Sequence, residues 1–318
     1  MKVLIQDYAE DEGRFLAELR GSFPDVEFVT AKSEEDQKTS IKDADIYYGF
    51  LTQEVYAAAD KLRWIQVAGA GIDGLKELPG LLDNDILVTN TKGPHVDSMA
   101  DHVIGMMVNL AHRWMDHFDD QRAHRWEGSK YRDMQIDIAG ATMGIYGLGD
   151  VGRATARRAR AFGMDVIAVD KYPTPSEEVR EPWGLERLDD LLERSDWFVV
   201  ATPMTDETRG AIDARMVGLL KEGAHVIVIS RGGIVDEEAL VEGLRSGRIA
   251  GAGLDVFAEE PLPEDNPLWD LPNVVITPHC SGVTTFVIEN IEQVFKENLR
   301  RYLGGEPFLY VCDKKAGF

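Results

Sequence analysis

The chain has 318 residues, with 34 lysines and arginines against 56 aspartates and glutamates, for a formal charge of −22. Its 44% hydrophobic and 28% charged residues supply enough apolar side chains for a sizeable core, which excludes global disorder, and the length suits two domains. The acidity argues against a nucleic-acid binder, which needs a positive face, but leaves room for a local basic pocket that takes a small anion.

In chain order, MKVLIQDYAEDE passes from a short apolar run straight into acids and reads as a first strand, VLIQD, not as a signal peptide. Glu12–Ser22 reads as a helix with Phe15, Leu16 and Leu19 on one face, and EFVTA, IYYGF, WIQVA and ILVTN follow as strands. The segment Val96–Met115, interrupted by Asp97, Asp101, His102 and Asn109, reads as one long buried helix. No uninterrupted apolar stretch reaches the ~18–20 residues of a membrane span. A polar, aromatic segment runs on to Arg132, and a second strand set follows: MGIYG, VIAVD, WFVVA, HVIVIS, IAGAGLDV and VVITP. Alternation of this kind predicts an α/β fold of parallel sheets. Thr284–Leu303 reads as an amphipathic helix through Ile288, Ile291, Phe295, Leu299 and Tyr302, stopped by Gly304 and Gly305. FLYVC then reads as a strand or extended segment. There is no internal repeat and no low-complexity linker, which suggests two domains joined by helices. The two cysteines, Cys280 and Cys312, are too few for a disulfide framework and fit a reducing cytoplasm.

G-x-G-x-x-G occurs twice. Gly147-Leu148-Gly149-Asp150-Val151-Gly152 lies between the strand MGIY and the helical RATARRARAFG, and VIAVD closes on Asp170. Gly147 would allow a tight turn, Gly149 the approach of a pyrophosphate to the helix N-terminus, and Gly152 close helix–strand packing. Asp170 would accept hydrogen bonds from the ribose hydroxyls and repel a 2′-phosphate, which favours NAD over NADP. Lys171 beside it weakens that preference, and Asp150 either faces solvent or caps the helix. The second copy, Gly69–Gly74, runs into Pro79 with little helix, and its next strand ends on Asn90. It could serve instead as an anion nest for a substrate carboxylate, or be an ordinary tight turn.

Three strand ends carry polar side chains that a core does not request: Arg231 in VISRGGIVDEEAL; Asp255, Glu259 and Glu260 in GLDVFAEEPLP; and His279 in VVITPHCSG. Ligands of open α/β sheets bind outside the carboxyl ends of the strands, which is where these fall. Reduction of a carbonyl by hydride needs such a set. Arg231 would grip a carboxylate and polarise the neighbouring ketone, His279 would donate the proton, and Glu260 would orient and charge the ring. No metal is called for.

With these segments in view, the chain resembles the D-isomer-specific 2-hydroxyacid dehydrogenase family over nearly all its length. The resemblance is carried by WIQVAGAGID, TMGIYGLGDVGRATARRARAFGMDVIAVD, ATPMTDETRG, the block from VISRGG to TPHCSG, and GGEPFLYVCD. It implies catalytic roles for Arg231, Glu260 and His279, with Glu260 chosen over Glu259 because it directly precedes Pro261. It implies cofactor contacts at the Gly147–Gly152 loop, Asp170, Thr202, Pro203, Thr208, Ile229, Ser230, Arg231, Asp255, His279 and Gly282, with Asp255 on the nicotinamide carboxamide. Ala70 and Gly71, with Arg231 and His279, would bind substrate. Two Rossmann-like domains are implied: residues 1–96 plus 284–318 for substrate and 97–283 for NAD. The protein would be a cytoplasmic homodimer with a small 2-oxo or 2-hydroxy acid as substrate and neither nucleic acid nor membrane as partner. The segment Trp114–Trp126 would serve the dimer interface or cover the core. Val228 stands where several members have Asn, and Asp101 where the family has Glu. A carboxylate at Glu260, where formate dehydrogenases carry Gln, favours keto-acid reduction. The alternatives are a phosphoglycerate-type dehydrogenase and a non-enzymatic NAD-sensing protein.

Overall fold

The computed structural model describes residues 1–6 and 12–317. Asp7, expected to end the first strand, lies outside the described residues. In chain order the strands and α-helices are β1 (Lys2–Gln6), α1 (Glu12–Ser22), β2 (Glu27–Ala31), α2 (Glu34–Ser40), β3 (Ile46–Gly49), α3 (Gln53–Ala57), β4 (Trp64–Val67), β5 (Leu87–Thr89), α4 (Lys92–Ala111) and α5 (Trp114–Arg122). They continue with β6 (Thr142–Tyr146), α6 (Asp150–Ala161), β7 (Asp165–Val169), α7 (Leu188–Arg194), β8 (Trp197–Val200), α8 (Ala214–Leu219), β9 (Ala224–Val228), α9 (Glu237–Ser246), β10 (Ile249–Leu254), β11 (Val274–Ile276) and α10 (Thr285–Gly304). The chain divides into two compact units: residues 1–95 with 284–318, and residues 96–283.

In the first unit the sheet order is β2-β1-β3-β4-β5, all parallel. The central strands β3 and β4 are wholly buried, and apart from the hydrogen-bonded Gln66 their side chains are largely apolar. α10 supplies part of their cover. Phe295 is fully buried and stacks on Tyr48 at 4.4 Å between ring centroids, and Asn298 donates to Gln66 Oε1 at 2.9 Å. Burial of a side chain the size of Phe295 stabilises by about 1.5–3 kcal/mol. The first turn of α10 buries Val287, whereas Ile288 is 45% exposed. The expected apolar stripe therefore holds from Ile291 onward and shifts by one residue at the helix start, where Thr284 caps the N-terminus by accepting from Val287 N at 3.1 Å. FLYVC forms no ladder. It contributes one antiparallel bridge, Val311 to Thr89.

The second unit holds a six-stranded parallel sheet in the order β11-β10-β9-β8-β6-β7. The strand order reverses between β6 and β8, the switch point at which ligands of such sheets bind. The single helix expected over Val96–Met115 is two helices. α4 stops at Ala111, Arg113 turns left-handed at φ 56°, and α5 follows. The helix end has partners from elsewhere in this unit: Ala111 O accepts from Ile136 N at 3.0 Å and His112 O from Gln135 Nε2 at 3.3 Å. Those bonds satisfy carbonyls that continued helix would have used. Among the described residues no helix is long and apolar enough to cross a membrane.

Candidate active site

β6 leads through Gly147–Gly149 into α6. Gly147 has φ 98°, and a Cβ on it would stand 2.6 Å from Thr202 N, so both backbone hand and space demand glycine. A Cβ on Gly152 would meet the Gly147 carbonyl oxygen at 2.1 Å, the close helix–strand packing expected of it. Gly149 differs: a Cβ there meets nothing within 4 Å. Its missing side chain leaves open space at the start of α6, where no side chain caps the N-terminus. Asp150 is exposed and does not act as the cap. A pyrophosphate fits a backbone cradle of this kind, with exposed N–H groups and no side chain in the way.

Asp170 follows β7. Its Oδ2 accepts from Leu148 N at 2.7 Å and its Oδ1 from Tyr172 N at 2.8 Å, so the carboxylate is locked beside the glycine loop. Lys171 pairs with Glu207 at 2.6 Å. The loop after β8 carries Thr202 and Pro203. There Thr208 turns inward: its hydroxyl donates to Pro203 O at 2.7 Å and accepts from Thr205 N at 2.8 Å, holding the loop. Beyond β9, Ile229 and Ser230 are buried, and the Ser230 hydroxyl has no hydrogen-bond partner in the protein. Such an orphaned buried hydroxyl suits a ligand contact. Arg231 is half-buried and donates to Ser230 O at 2.8 Å.

His279 and Glu260 meet. The ring Nδ1–H donates to Glu260 Oε2 at 2.7 Å, because a carboxylate oxygen only accepts. The other carboxylate oxygen accepts from Phe257 N at 2.9 Å, which fixes its plane. His279 adopts φ 51°, a left-handed backbone uncommon for a residue with a Cβ. That conformation is held from below: His279 N donates to Asp255 O at 2.8 Å, and the Asp255 carboxylate accepts from Thr277 Oγ1 at 2.5 Å, Cys280 N at 2.9 Å and Ser281 N at 3.0 Å. Asp255 is fully buried, so its carboxylate organises the 277–281 turn, a use its letter in the sequence does not reveal.

The Gly232–Gly233 turn after Arg231 packs on the segment leading to Glu260; a Cβ on Gly232 would overlap Phe257 C. Glu237, at the start of α9, accepts from Ala258 N at 2.6 Å, and burial raises its pKa, with nearby Glu260 adding to the rise. Burial and the Asp255 carboxylate push the Cys280 thiol up, which makes it less reactive. Among the described residues no cluster of three or more His, Cys, Asp or Glu side chains could hold a metal. Sequence reasoning missed Thr277, Glu237 and the α4 residues Ser98 and His102, which bond to the same turn: Ser98 Oγ to Ser281 O at 2.7 Å, and His102 Nε2 to Thr277 Oγ1 at 3.0 Å.

In the first unit, the loop after β4 is pinned by the corner after β5. The carbonyls of Ala68, Gly69 and Ala70 accept from Thr91 Oγ1, Thr91 N and Asn90 Nδ2 at 3.0, 3.1 and 2.7 Å. Neither Gly69 nor Gly74 has a left-handed backbone. The Ala70 carbonyl, at the proposed substrate loop, is thus engaged inward together with its two predecessors.

A sequence model described as "D-isomer specific 2-hydroxyacid dehydrogenase, NAD binding domain" matches residues 104–281, within the second unit. The chain is 33% identical over 313 residues to D-3-phosphoglycerate dehydrogenase of Methanocaldococcus jannaschii, an alignment spanning 96% of this chain and 58% of that protein. It is 35% identical over 274 residues to glyoxylate reductase of Korarchaeum cryptofilum, spanning 84% of this chain and 82% of that one. The chain thus covers only 58% of the phosphoglycerate enzyme's length but most of the reductase's. Among solved structures, a D-isomer specific 2-hydroxyacid dehydrogenase from Xanthobacter autotrophicus Py2, in complex with NADPH and MES, superposes with a TM-score of 0.84 at 31% identity over 99% of each chain.

Proposed function

The chain belongs to the D-isomer-specific 2-hydroxyacid dehydrogenase family, and from that premise we propose that it interconverts a small 2-oxo acid and its D-2-hydroxy acid with NAD(H). The observation that carries the reading is the His279–Glu260 pair at 2.7 Å, in the same unit as the open glycine cradle. When bound, the nicotinamide supplies a hydride. Glu260 accepts a hydrogen bond from the Nδ1–H of His279, which leaves Nε2 to carry the exchangeable proton. His279 then gives that proton to the carbonyl oxygen in reduction and takes it from the alcohol in oxidation. Arg231, at the end of β9, binds the carboxylate and polarises the ketone through parallel N–H donors. The net charge of −22 is no obstacle, because the anions are gathered by backbone N–H groups, Arg231 and the imidazolium.

The locked Asp170 carboxylate supports NAD over NADP, and the pairing of Lys171 with Glu207 opposes recruitment of that ammonium to a 2′-phosphate. The Xanthobacter protein binds NADPH, so NADH and NADPH should be compared directly. Identity to the archaeal phosphoglycerate dehydrogenase favours a second reading, with 3-phosphohydroxypyruvate as substrate. We further propose a homodimer built through the second unit, in a reducing cytoplasm where both thiols stay unpaired; Cys312 is buried and pushed up to about 12.

The test is NADH oxidation with glyoxylate, hydroxypyruvate and 3-phosphohydroxypyruvate. His279→Gln and Arg231→Ala should each lose about 10³-fold in turnover while NADH binding survives. Full activity in His279→Gln would reject the assignment. NADH binding without turnover of any 2-oxo acid by the unmutated protein would favour the sensor reading.

A further inference from the structure

α4 presents two polar side chains four residues apart, and so on one helical face, to the two ends of the turn that carries His279. Ser98 Oγ donates to Ser281 O at 2.7 Å, and His102 Nε2 lies 3.0 Å from Thr277 Oγ1. The protonation of His102 follows from its partner. The Thr277 hydroxyl proton goes to Asp255 Oδ1 at 2.5 Å, since a carboxylate only accepts. Thr277 therefore offers His102 only lone pairs, and His102 must hold its hydrogen on Nε2. That N–H in turn stops the threonine hydroxyl from rotating away from Asp255. Asp255 is fully buried and gathers Cys280 N and Ser281 N, while its carbonyl takes His279 N. A buried carboxylate that loses a donor is costly, so the turn relaxes if the hydroxyl turns.

We propose that His102 is a positioning residue of the reaction: as the Nε2–H tautomer it fixes the Thr277 hydroxyl on Asp255 and so holds His279 in its left-handed conformation facing Glu260. The assignment rests on the reductase reading above. His102 touches neither reacting atom; it acts through Thr277.

The test combines kinetics with a spectroscopic readout. His102→Leu should lower kcat about 10-fold and leave NADH affinity within about twofold. His102→Gln, whose amide N–H can still donate, should recover to within about threefold of the unmutated protein. The double variant His102→Leu/Thr277→Val should be no slower than Thr277→Val alone, because both act on one hydrogen bond. An unchanged kcat in His102→Leu, a His102→Gln as slow as His102→Leu, or losses that multiply in the double variant would overturn the proposal. Nitrogen-15 NMR of the unmutated protein, with His102 assigned by comparison with His102→Gln, should show the Nε2–H tautomer; an unprotonated Nε2 overturns the proposal without recourse to activity. If no 2-oxo acid is turned over, the reductase reading fails, and the tautomer measurement still decides the geometry.

Discussion

The two glycine-rich segments share one letter pattern and differ in every physical respect. In 147–152, Gly147 is left-handed with a backbone amide where its Cβ would be, Gly152 abuts a carbonyl oxygen, and Gly149 faces open space. In 69–74, a Cβ on Gly69 would meet only the edge of the Phe50 ring at 3.0 Å, one on Gly74 would meet nothing, and neither glycine is left-handed. The pattern alone therefore reports where glycine is permitted. Only the surrounding backbone shows where it is required; at Gly149 the protein itself sets no such requirement, and under the proposed function a ligand would set it.

The comparison can be broken most forcefully at Gly152. Gly152→Ala places a methyl 2.1 Å from backbone and should cost about 4 kcal/mol or prevent folding, read from denaturant midpoints. A loss under 1 kcal/mol would contradict the packing role. Next in size is an acid sensitivity that belongs to the second unit as a whole. His225 is buried, stacks on Trp197 at 4.1 Å, and has its pKa lowered to about 4 by burial, with Arg113 adding to the effect. The unfolded chain takes up that proton first. Stability is then complete above the ordinary histidine value near 6.5 and falls as pH drops toward 4, by about 3 kcal/mol. His225→Phe should flatten the slope of stability against pH in that window; equal slopes would remove His225 as the cause.

The remaining contrast is subtler. Gly149→Ala should weaken NADH binding about 10–100-fold at unchanged thermal midpoint, the signature of space kept for a ligand. Gly74→Ala should shift stability by less than about 0.5 kcal/mol and leave NADH binding alone. If Gly149→Ala unfolds the protein or Gly74→Ala weakens NADH, the distinction between the two segments fails.

Much of this was legible in the letters because the relevant residues are expensive. Arg231, Glu260 and His279 at strand ends have no use in a core, and the strand–glycine–helix order around Gly147 has few other meanings. Other features left no such mark. The break at Arg113 is a left-handed backbone on a residue that helices accept, made by partners more than twenty positions away. Val287 and Ile288 fit the same apolar period, and only tertiary packing decides which is buried. His102 reads as an interruption of an apolar helix because its partner lies 175 residues downstream. Asp255 carries a letter that suits a ligand, and that letter does not disclose that its buried carboxylate also organises the 277–281 turn.

The interruption of the first unit by the second has a consequence for how the protein is made. Phe295 on Tyr48 and Asn298 on Gln66 belong to the cover of the β3–β4 face, yet they are encoded after residue 283. During synthesis, residues 96–283 have their full strand set while the earlier 95 residues still lack that cover. The part whose synthesis starts first is thus completed only after residues 96–283 have been made, when α10 becomes available to cover its aromatic face.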